Sequence, residues 1–424
     1  MKIQPENFPE RVVWWSIVGM YGFFVIGGVY VAGSVIGWIL FGYFCKQWWL
    51  QNEETPNHER ITIPWVTWIW IVGMLVMEVA LVLGHLDFNL GIGLIIKSTI
   101  GWAKGWALLA LFPLMGCLKI RPQLVYRAVC ILCFHTLLLF PFFFLAYIAH
   151  LPQVLYVSPL KAVGGPGPYF FDVPLYEIDA TTGVGRWRFF TPWAPALGFV
   201  GNIYFIFSLQ EKERKWRWAG IAGSILMCIV PASRLALLSL VLVMAITWFL
   251  TNFRHPIMMM CIGIGSFVGG ILSPILVISF ENFVDGFKGA RAASTRVRQT
   301  LGEIAVDRWW NDAPIWGHGV VEEGPHLVEY MPIGSHHSWF GLLFVKGAVG
   351  FAALAIPMIF SLLDLLIKAQ DNAEAEVGLS VLIIIFLYTF GENLEILAYL
   401  FWPGLLIMGI AFRQPPGMPS ENVG

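Results

Sequence analysis

Long runs of apolar residues alternate with short polar turns along most of this chain, and that rhythm predicts its elements. A helix crossing the hydrocarbon core of a bilayer needs about 20 mostly apolar residues. Runs of that kind fall at 12–26, 28–44, 63–83, 99–118, 126–149, 192–209, 218–230, 235–250, 257–280, 339–366, 377–390 and 397–412. They predict an all-α polytopic membrane protein, a single integral membrane domain over 1–424 with about 12 transmembrane helices. Two longer, more polar segments interrupt the series, at 151–191 and 281–336. The first carries the turn-rich Gly164-Gly165-Pro166-Gly167-Pro168 and ends in Arg186-Trp187-Arg188. The second sets Val297, Leu301 and Ile304 at helical spacing among arginines, which predicts an amphipathic helix over 290–310 lying against the outer leaflet.

Composition agrees. Hydrophobic residues make up 58% and charged residues only 12%, against roughly 25% charged in soluble domains. So little polar surface cannot cover a soluble protein of this size, so lipid must cover it. Lys plus Arg (26) nearly balances Asp plus Glu (27), for a net charge of -1, which leaves no basic excess for nucleic acid. Lys46, Arg60, Lys119, Arg121, Arg127, Lys212, Arg214, Lys215 and Arg217 fall in alternate loops. The positive-inside bias then predicts cytoplasmic termini and places both long segments outside. No A-x-A site closes the first apolar run, so no cleavable signal peptide is expected. The six cysteines lie in or beside apolar runs, which argues against disulfides and a zinc ribbon; Cys130 and Cys133 read as two packed helix cysteines.

Candidate chemistry collects in the outer segments: Arg186, Arg188, Arg234, the arginines Arg291, Arg296, Arg298 and Arg308, His318, His326 and the pair His336-His337. Arg234 stands at a tight turn between two apolar runs. An ionisable group at membrane depth is a functional candidate by default, with snorkelling to headgroups as the plain alternative. His336-His337 lies between Gly334-Ser335 and the next apolar run, whereas His85 and His150 are expected to be solvated. A zinc site from His318, His326, His336 and Glu322 matches no common ligand spacing, so no metal is expected. Arginines grip diphosphate oxygens with two prongs, and a neutral histidine accepts a proton near pH 7. The combination suits group transfer from an anionic donor.

Ser233-Arg234-Leu235-Ala236-Leu237-Leu238 resembles the S-R-G-A-L-L motif of the O-antigen ligase and polymerase superfamily, with Leu235 in the glycine's place. Pro314-Ile-Trp-Gly317-His-Gly319 is similar to that family's P-x-x-G-x-G element. The run from His336-His337-Ser338 to Gly347 and Gly350 resembles its H-N-x-Y-L…G-x-x-G signature, with His337 replacing asparagine and Val345-Lys346 replacing an acidic residue before Gly347. Arg188-Phe-Phe-Thr-Pro192 loosely resembles an arginine-to-proline element of the same family. The resemblance covers mainly 188–350. It implies a glycosyltransferase of the bacterial inner membrane that is metal-independent, inverting and free of cofactors. The implied donor is a polyprenyl-diphosphate-linked glycan, and the implied acceptor a hydroxyl of a glycan or glycolipid at the periplasmic face. It further implies His336 as base and Arg234 on the diphosphate, with Arg188, Arg291, Arg296, Arg298, His318 and His337 contacting substrate. Ligation and polymerisation share this chemistry.

A secondary transporter of a small anionic solute is the alternative from another class. Its ionisable candidates would be Glu78, Lys97, Lys104, Lys346 and Glu392, which are scattered along the sequence.

Overall fold

The computed structural model describes residues 3–52, 54–56, 60–179, 182–253, 255–289 and 292–415, which are mostly helical. The helices are α1 (Phe8–Val18), α2 (Met20–Val25), α3 (Val29–Leu50), α4 (Trp65–Asp87), α5 (Ile92–Lys104), α6 (Leu108–Met115), α7 (Pro122–Ile148) and α8 (Ala194–Leu209). They continue as α9 (Arg214–Ile229), α10 (Arg234–Asn252), α11 (Pro256–Ile271), α12 (Ser273–Gly289), α13 (Ala292–Asp312), α14 (Ser338–Lys368), α15 (Ala373–Tyr388) and α16 (Leu394–Phe412). Between α7 and α8 the chain forms two small antiparallel sheets. In one, β1 (Val154–Val157) pairs with β2 (Asp172–Pro174); in the other, β3 (Glu177–Ile178) pairs with β4 (Gly185–Arg186). These strands are too short for a period-2 pattern to betray them in the sequence.

Among the described residues, seven helical segments are long and apolar enough to cross a membrane: α3, α4, α5 with α6, α7, α10, α14 and α16. An eighth results if α11 and the start of α12, bent by 82°, count as one span. The protein is therefore a multi-pass, helical membrane protein. The other predicted runs fold as shorter pieces. The run at 12–26 breaks at Gly19 into α1 and α2, and α8, α9 and α15 have 16 residues each. Hydropathy locates apolar surface but does not say whether one helix runs through it.

Helix α16 forms the axis of the bundle and is buried along nearly its whole length, against α3, α6, α8 and α15. Small residues let its backbone come close to its neighbours. A Cβ on Gly409 would lie 2.1 Å from the Pro113 carbonyl oxygen, so α6 and α16 cross main chain to main chain. Cys130 and Cys133 are both buried in α7, and all six cysteines are free.

Helix α14 is interrupted at Gly347, whose φ of 63° is left-handed. The break frees backbone groups that must be satisfied inside a membrane protein, and the segment 313–319 satisfies them. His318 N–H donates to the Phe344 carbonyl at 2.8 Å and Gly319 N–H to Val345 at 2.9 Å. From beyond the break, Ala348 N–H donates to Pro314 at 2.9 Å and Val349 N–H to Ile315 at 3.3 Å. Gly317, also at positive φ (70°), fits because a Cβ there would sit 2.4 Å from the Lys346 nitrogen.

Helix α13 is the predicted amphipathic element, but its surroundings differ from the expectation. Val297, Leu301 and Ala305 are buried against Val328, Ile333 and Phe344, so its apolar stripe is covered by protein. The loop that follows it supplies the apolar partners that the sequence left to lipid.

Candidate functional site

The starts of α8, α10 and α14 meet the turn between α15 and α16 at the end of the bundle that carries the 151–191 and 292–337 segments. Ser338 Oγ donates to the Glu392 carbonyl at 2.7 Å and accepts from Leu394 N–H at 3.1 Å. Trp339 Nε1 donates to Thr389 Oγ1 at 2.8 Å. Asn202 of α8 donates to the Ala236 carbonyl of α10 at 3.2 Å and to Tyr388 Oη of α15 at 3.0 Å. The Leu235 side chain packs against Gly391. These bonds hold Arg234, the histidine pair and Glu392 at one junction.

Glu392 occupies the centre of the junction and is only 5% exposed. Trp193 Nε1 donates to its Oε2 at 2.8 Å. Burial pushes its carboxyl up to about 7, against the lowering influence of the Trp193 hydrogen bond and the Arg298 charge. The sequence reading missed Glu392 as part of this site and grouped it with transporter candidates. A carboxylate in an otherwise apolar turn, Phe390-Gly391-Glu392-Asn393, was the available signal.

His336 immediately precedes α14. Burial pushes its imidazole down to about 4, and the nearby Arg298 charge adds to the effect. His337 is likewise pushed down to about 4 by burial. Both rings are therefore neutral at physiological pH and can accept a proton, though as weak bases. His337 caps α14: its Nδ1 accepts from Phe340 N–H at 3.4 Å, and its ring stacks on Phe340 with centroids 4.0 Å apart.

The arginines fall into distinct groups. Arg234 is the first residue of α10, after the capping Ser233, and is half-buried. A cation there opposes the helix dipole. Arg298 is exposed on α13, and its charge reaches both His336 and Glu392. Arg296, also exposed, has no such link among the described residues. Arg291 lies outside the described residues.

Two expected substrate contacts serve the fold instead. Arg188 is 2% exposed, ion-paired with Asp172 and Glu177, each at 2.6 Å. It also donates to the Thr191 and Pro192 carbonyls at 3.0 and 2.9 Å. Its guanidinium is thus used up in fixing the loop that presents Trp193. His318 is 1% exposed and stacks on Phe344 at 4.2 Å, with Nδ1 3.0 Å from the Phe344 carbonyl oxygen. It pins the inserted loop into the α14 break. In both cases the residue type that binds a ligand well also satisfies buried backbone well, and sequence alone does not separate the two uses.

Arg308 binds Glu322 at 2.5 Å and Asp312 at 3.2 Å. Among the described residues no group of three His, Cys, Asp or Glu converges as a metal site. Neither a protein-family model nor a curated protein matches this chain.

Proposed function

We propose that this protein is a membrane glycosyltransferase that moves a glycan from a polyprenyl-diphosphate donor to a hydroxyl acceptor. The observation that carries the reading is the junction itself. An arginine at a helix N-terminus and proton-accepting groups (His336, Glu392) around a second arginine (Arg298) are held together at one end of an apolar helical bundle. Two of the quoted ligase-like segments adjoin this turn: Leu235, next to Arg234, lies beside Gly391, and Trp193, just after the 188–192 segment, bonds Glu392.

In the proposed step the acceptor oxygen forms a bond to the anomeric carbon from the face opposite the diphosphate. The bond from that carbon to the diphosphate oxygen breaks, and its electron pair leaves with polyprenyl diphosphate. Arg234 and Arg298 stabilise the leaving charge, which removes the need for a general acid or a metal. His336 takes the acceptor proton, and Glu392 is a second proton acceptor beside the same arginine. The resemblance carried by the ligase-like motifs implies the bacterial inner membrane. There, twelve crossings would be completed by the shorter apolar helices, with both termini cytoplasmic and the junction periplasmic.

The test is direct. Purified protein is incubated with a lipid-linked oligosaccharide and a panel of glycan and glycolipid acceptors, and release of polyprenyl diphosphate is followed. Transfer that survives EDTA is expected. Absence of transfer together with uptake of a small anion into proteoliposomes would overturn the proposal in favour of the transporter.

A further inference from the structure

Not every buried polar group in the bundle marks a site. His85, buried rather than solvated as its sequence position suggested, lies 2.8 Å from the Leu81 carbonyl oxygen through Nδ1 and 2.9 Å from Ser98 Oγ through Nε2. The end of the bundle opposite the junction is different. There the last turns of α14 and α16 and the chain entering α4 line a cavity of about 650 Å³, within the range of roughly 300–1,000 Å³ usual for ligand pockets. Three charged residues line it: Asp364, Lys368 and Arg413.

These three are not equally committed. Lys368 Nζ donates to Asp364 Oδ2 at 2.8 Å and to the Phe412 carbonyl at 2.7 Å, so this buried pair is neutral as a unit and joins α14 to the end of α16. Arg413 is exposed, and its Nη1 donates to the carbonyls of Gly116 and Leu118 at 3.1 and 3.0 Å, which fixes the guanidinium. Among the described residues Nε and Nη2 have no acceptor. The cavity wall thus carries one positive charge in excess, on a pre-positioned guanidinium with donors left over. A phosphate fits such a fork.

The rest of the wall is apolar and continues outward along the bundle. Trp65 of α4 meets Phe360 of α14 edge to face, with centroids 5.8 Å apart. Ile367, Leu363, Phe360 and Ile356, all exposed, follow one another at helical spacing along one face of α14. Trp65, Trp68 and Val72 do the same on α4. Gly73 draws the two helices together, since a Cβ there would lie 2.6 Å from the Ala353 carbonyl oxygen. From Ile367 to Ile356 the stripe runs about 16 Å along the helix, close to the roughly 15 Å of hydrocarbon in one leaflet. Trp65 stands at its polar end, where tryptophan favours the membrane interface.

We propose that this cavity holds the phosphate of a singly anionic membrane phospholipid against Arg413, with an acyl chain along the joined faces of α4 and α14. The inference is independent of the glycan-transfer reading. A soluble phosphate ester would engage the arginine and leave the apolar wall idle, whereas a lipid occupies both. The charge selects the headgroup. One net negative charge cancels the excess on the wall, while a zwitterionic headgroup would bring a cation beside a lining carboxylate, Asp364, that is already paired. Arg413 is bonded to the 116–118 turn, directly before the basic residues Lys119 and Arg121. Basic pockets between transmembrane helices are a recurring site for anionic headgroups.

The delipidated full-length protein in detergent is titrated with phosphatidylglycerol, with phosphatidylcholine of the same acyl chains and with glycerol 3-phosphate, and bound species are counted by native mass spectrometry. Wild type should bind one phosphatidylglycerol about 10- to 100-fold more tightly than phosphatidylcholine, and glycerol 3-phosphate far more weakly than either. Arg413→Gln should lose the preference. Thr62→Glu should lose it too, by adding a carboxylate to the cavity lining at an exposed residue. Residue 62 lies just before α4, where an acidic group suits the helix dipole, so Thr62→Glu should melt like wild type and decides the matter if Arg413→Gln does not fold. Equal binding of the two lipids by wild type, or a preference that survives Thr62→Glu, would overturn the proposal. Glycerol 3-phosphate binding as tightly as phosphatidylglycerol would overturn the lipid as its ligand.

Discussion

Ser338 Oγ donates to the Glu392 carbonyl at 2.7 Å while accepting the Leu394 N–H at 3.1 Å, so one hydroxyl ties the start of α14 to the start of α16. Ser338 N–H adds a bond to the Thr389 carbonyl at 2.9 Å. His336 lies two residues before this anchor and Glu392 forms part of it. The two groups expected to handle protons are thus positioned by backbone bonds rather than by flexible loops. Trp193, bonded to the Glu392 carboxylate, brings α8 into the same unit.

Arg188 and Arg234 should separate stability from binding. Arg188→Gln breaks a buried ion pair, which typically costs about 3–5 kcal/mol, and should lower the melting temperature of the purified protein sharply. Arg234→Ala should melt near wild type yet lose donor binding. Arg234→Lys, which keeps the charge but not the planar fork, should also be impaired. Equal donor affinity in wild type and Arg234→Ala would remove Arg234 from the site.

Gly317→Ala should be among the most destabilising small substitutions in the chain. The added methyl meets main-chain atoms at 2.4 Å on α14, and the positive φ strains an L-residue by about 1–2 kcal/mol before any clash. Gly42→Ala, with nothing within 4 Å of the added carbon, is the control. Similar thermal stability for the two variants would contradict the insertion of 313–319 into the α14 break.

Orientation can be read by thiol labelling in spheroplasts, on a background lacking the exposed Cys45 and Cys261. Cysteines at the exposed positions Lys161 and Leu327 should react with a membrane-impermeant reagent, and one at Lys212 should not. The reverse pattern would place the junction on the cytoplasmic side and exclude a periplasmic donor.

Much of the helical architecture was legible because apolar runs are long and the cost of unpaired backbone in lipid leaves few alternatives. The apolar stripe of α13 was equally visible at Val297 and Leu301. What covers that stripe was not, since periodicity reports a face and not its partner. The site was legible in part. Arg234 and His336 stood out as polar groups at apolar boundaries, and the structure brings both to the α15–α16 turn. Glu392 was present as an isolated charge, and only the packing of the α15–α16 turn against Trp193 and the start of α14 gives it its place. Arg188 and His318 show the converse: their partners Asp172, Glu177 and the Phe344 carbonyl come from separate elements, and no spacing rule announces them.

The pH response should distinguish the two proton acceptors. A base works in its unprotonated form, so a group pushed down to about 4 is available throughout the neutral range, and one pushed up to about 7 becomes available only as pH rises through 7. His336→Ala should therefore lower turnover about 10²–10⁴-fold at all accessible pH, while His337→Ala, which removes a helix cap, should be milder. Glu392→Gln should abolish the rise near pH 7 and leave a profile flat down towards pH 4. Stability should move in opposite directions. Between about 4 and 6.5 the unfolded chain protonates His336 and His337 while the folded one does not, so stability increases with pH across that window and His336→Gln makes the increase shallower, leaving the share of His337. Between 4.5 and about 7 the folded chain keeps a proton on Glu392 that the unfolded chain releases, so that contribution decreases with pH and Glu392→Gln removes the decrease. Melting temperatures across pH 4–8 for the two variants should therefore deviate from wild type with opposite slopes. A rise in rate near pH 7 that persists in Glu392→Gln would assign the titration to another group.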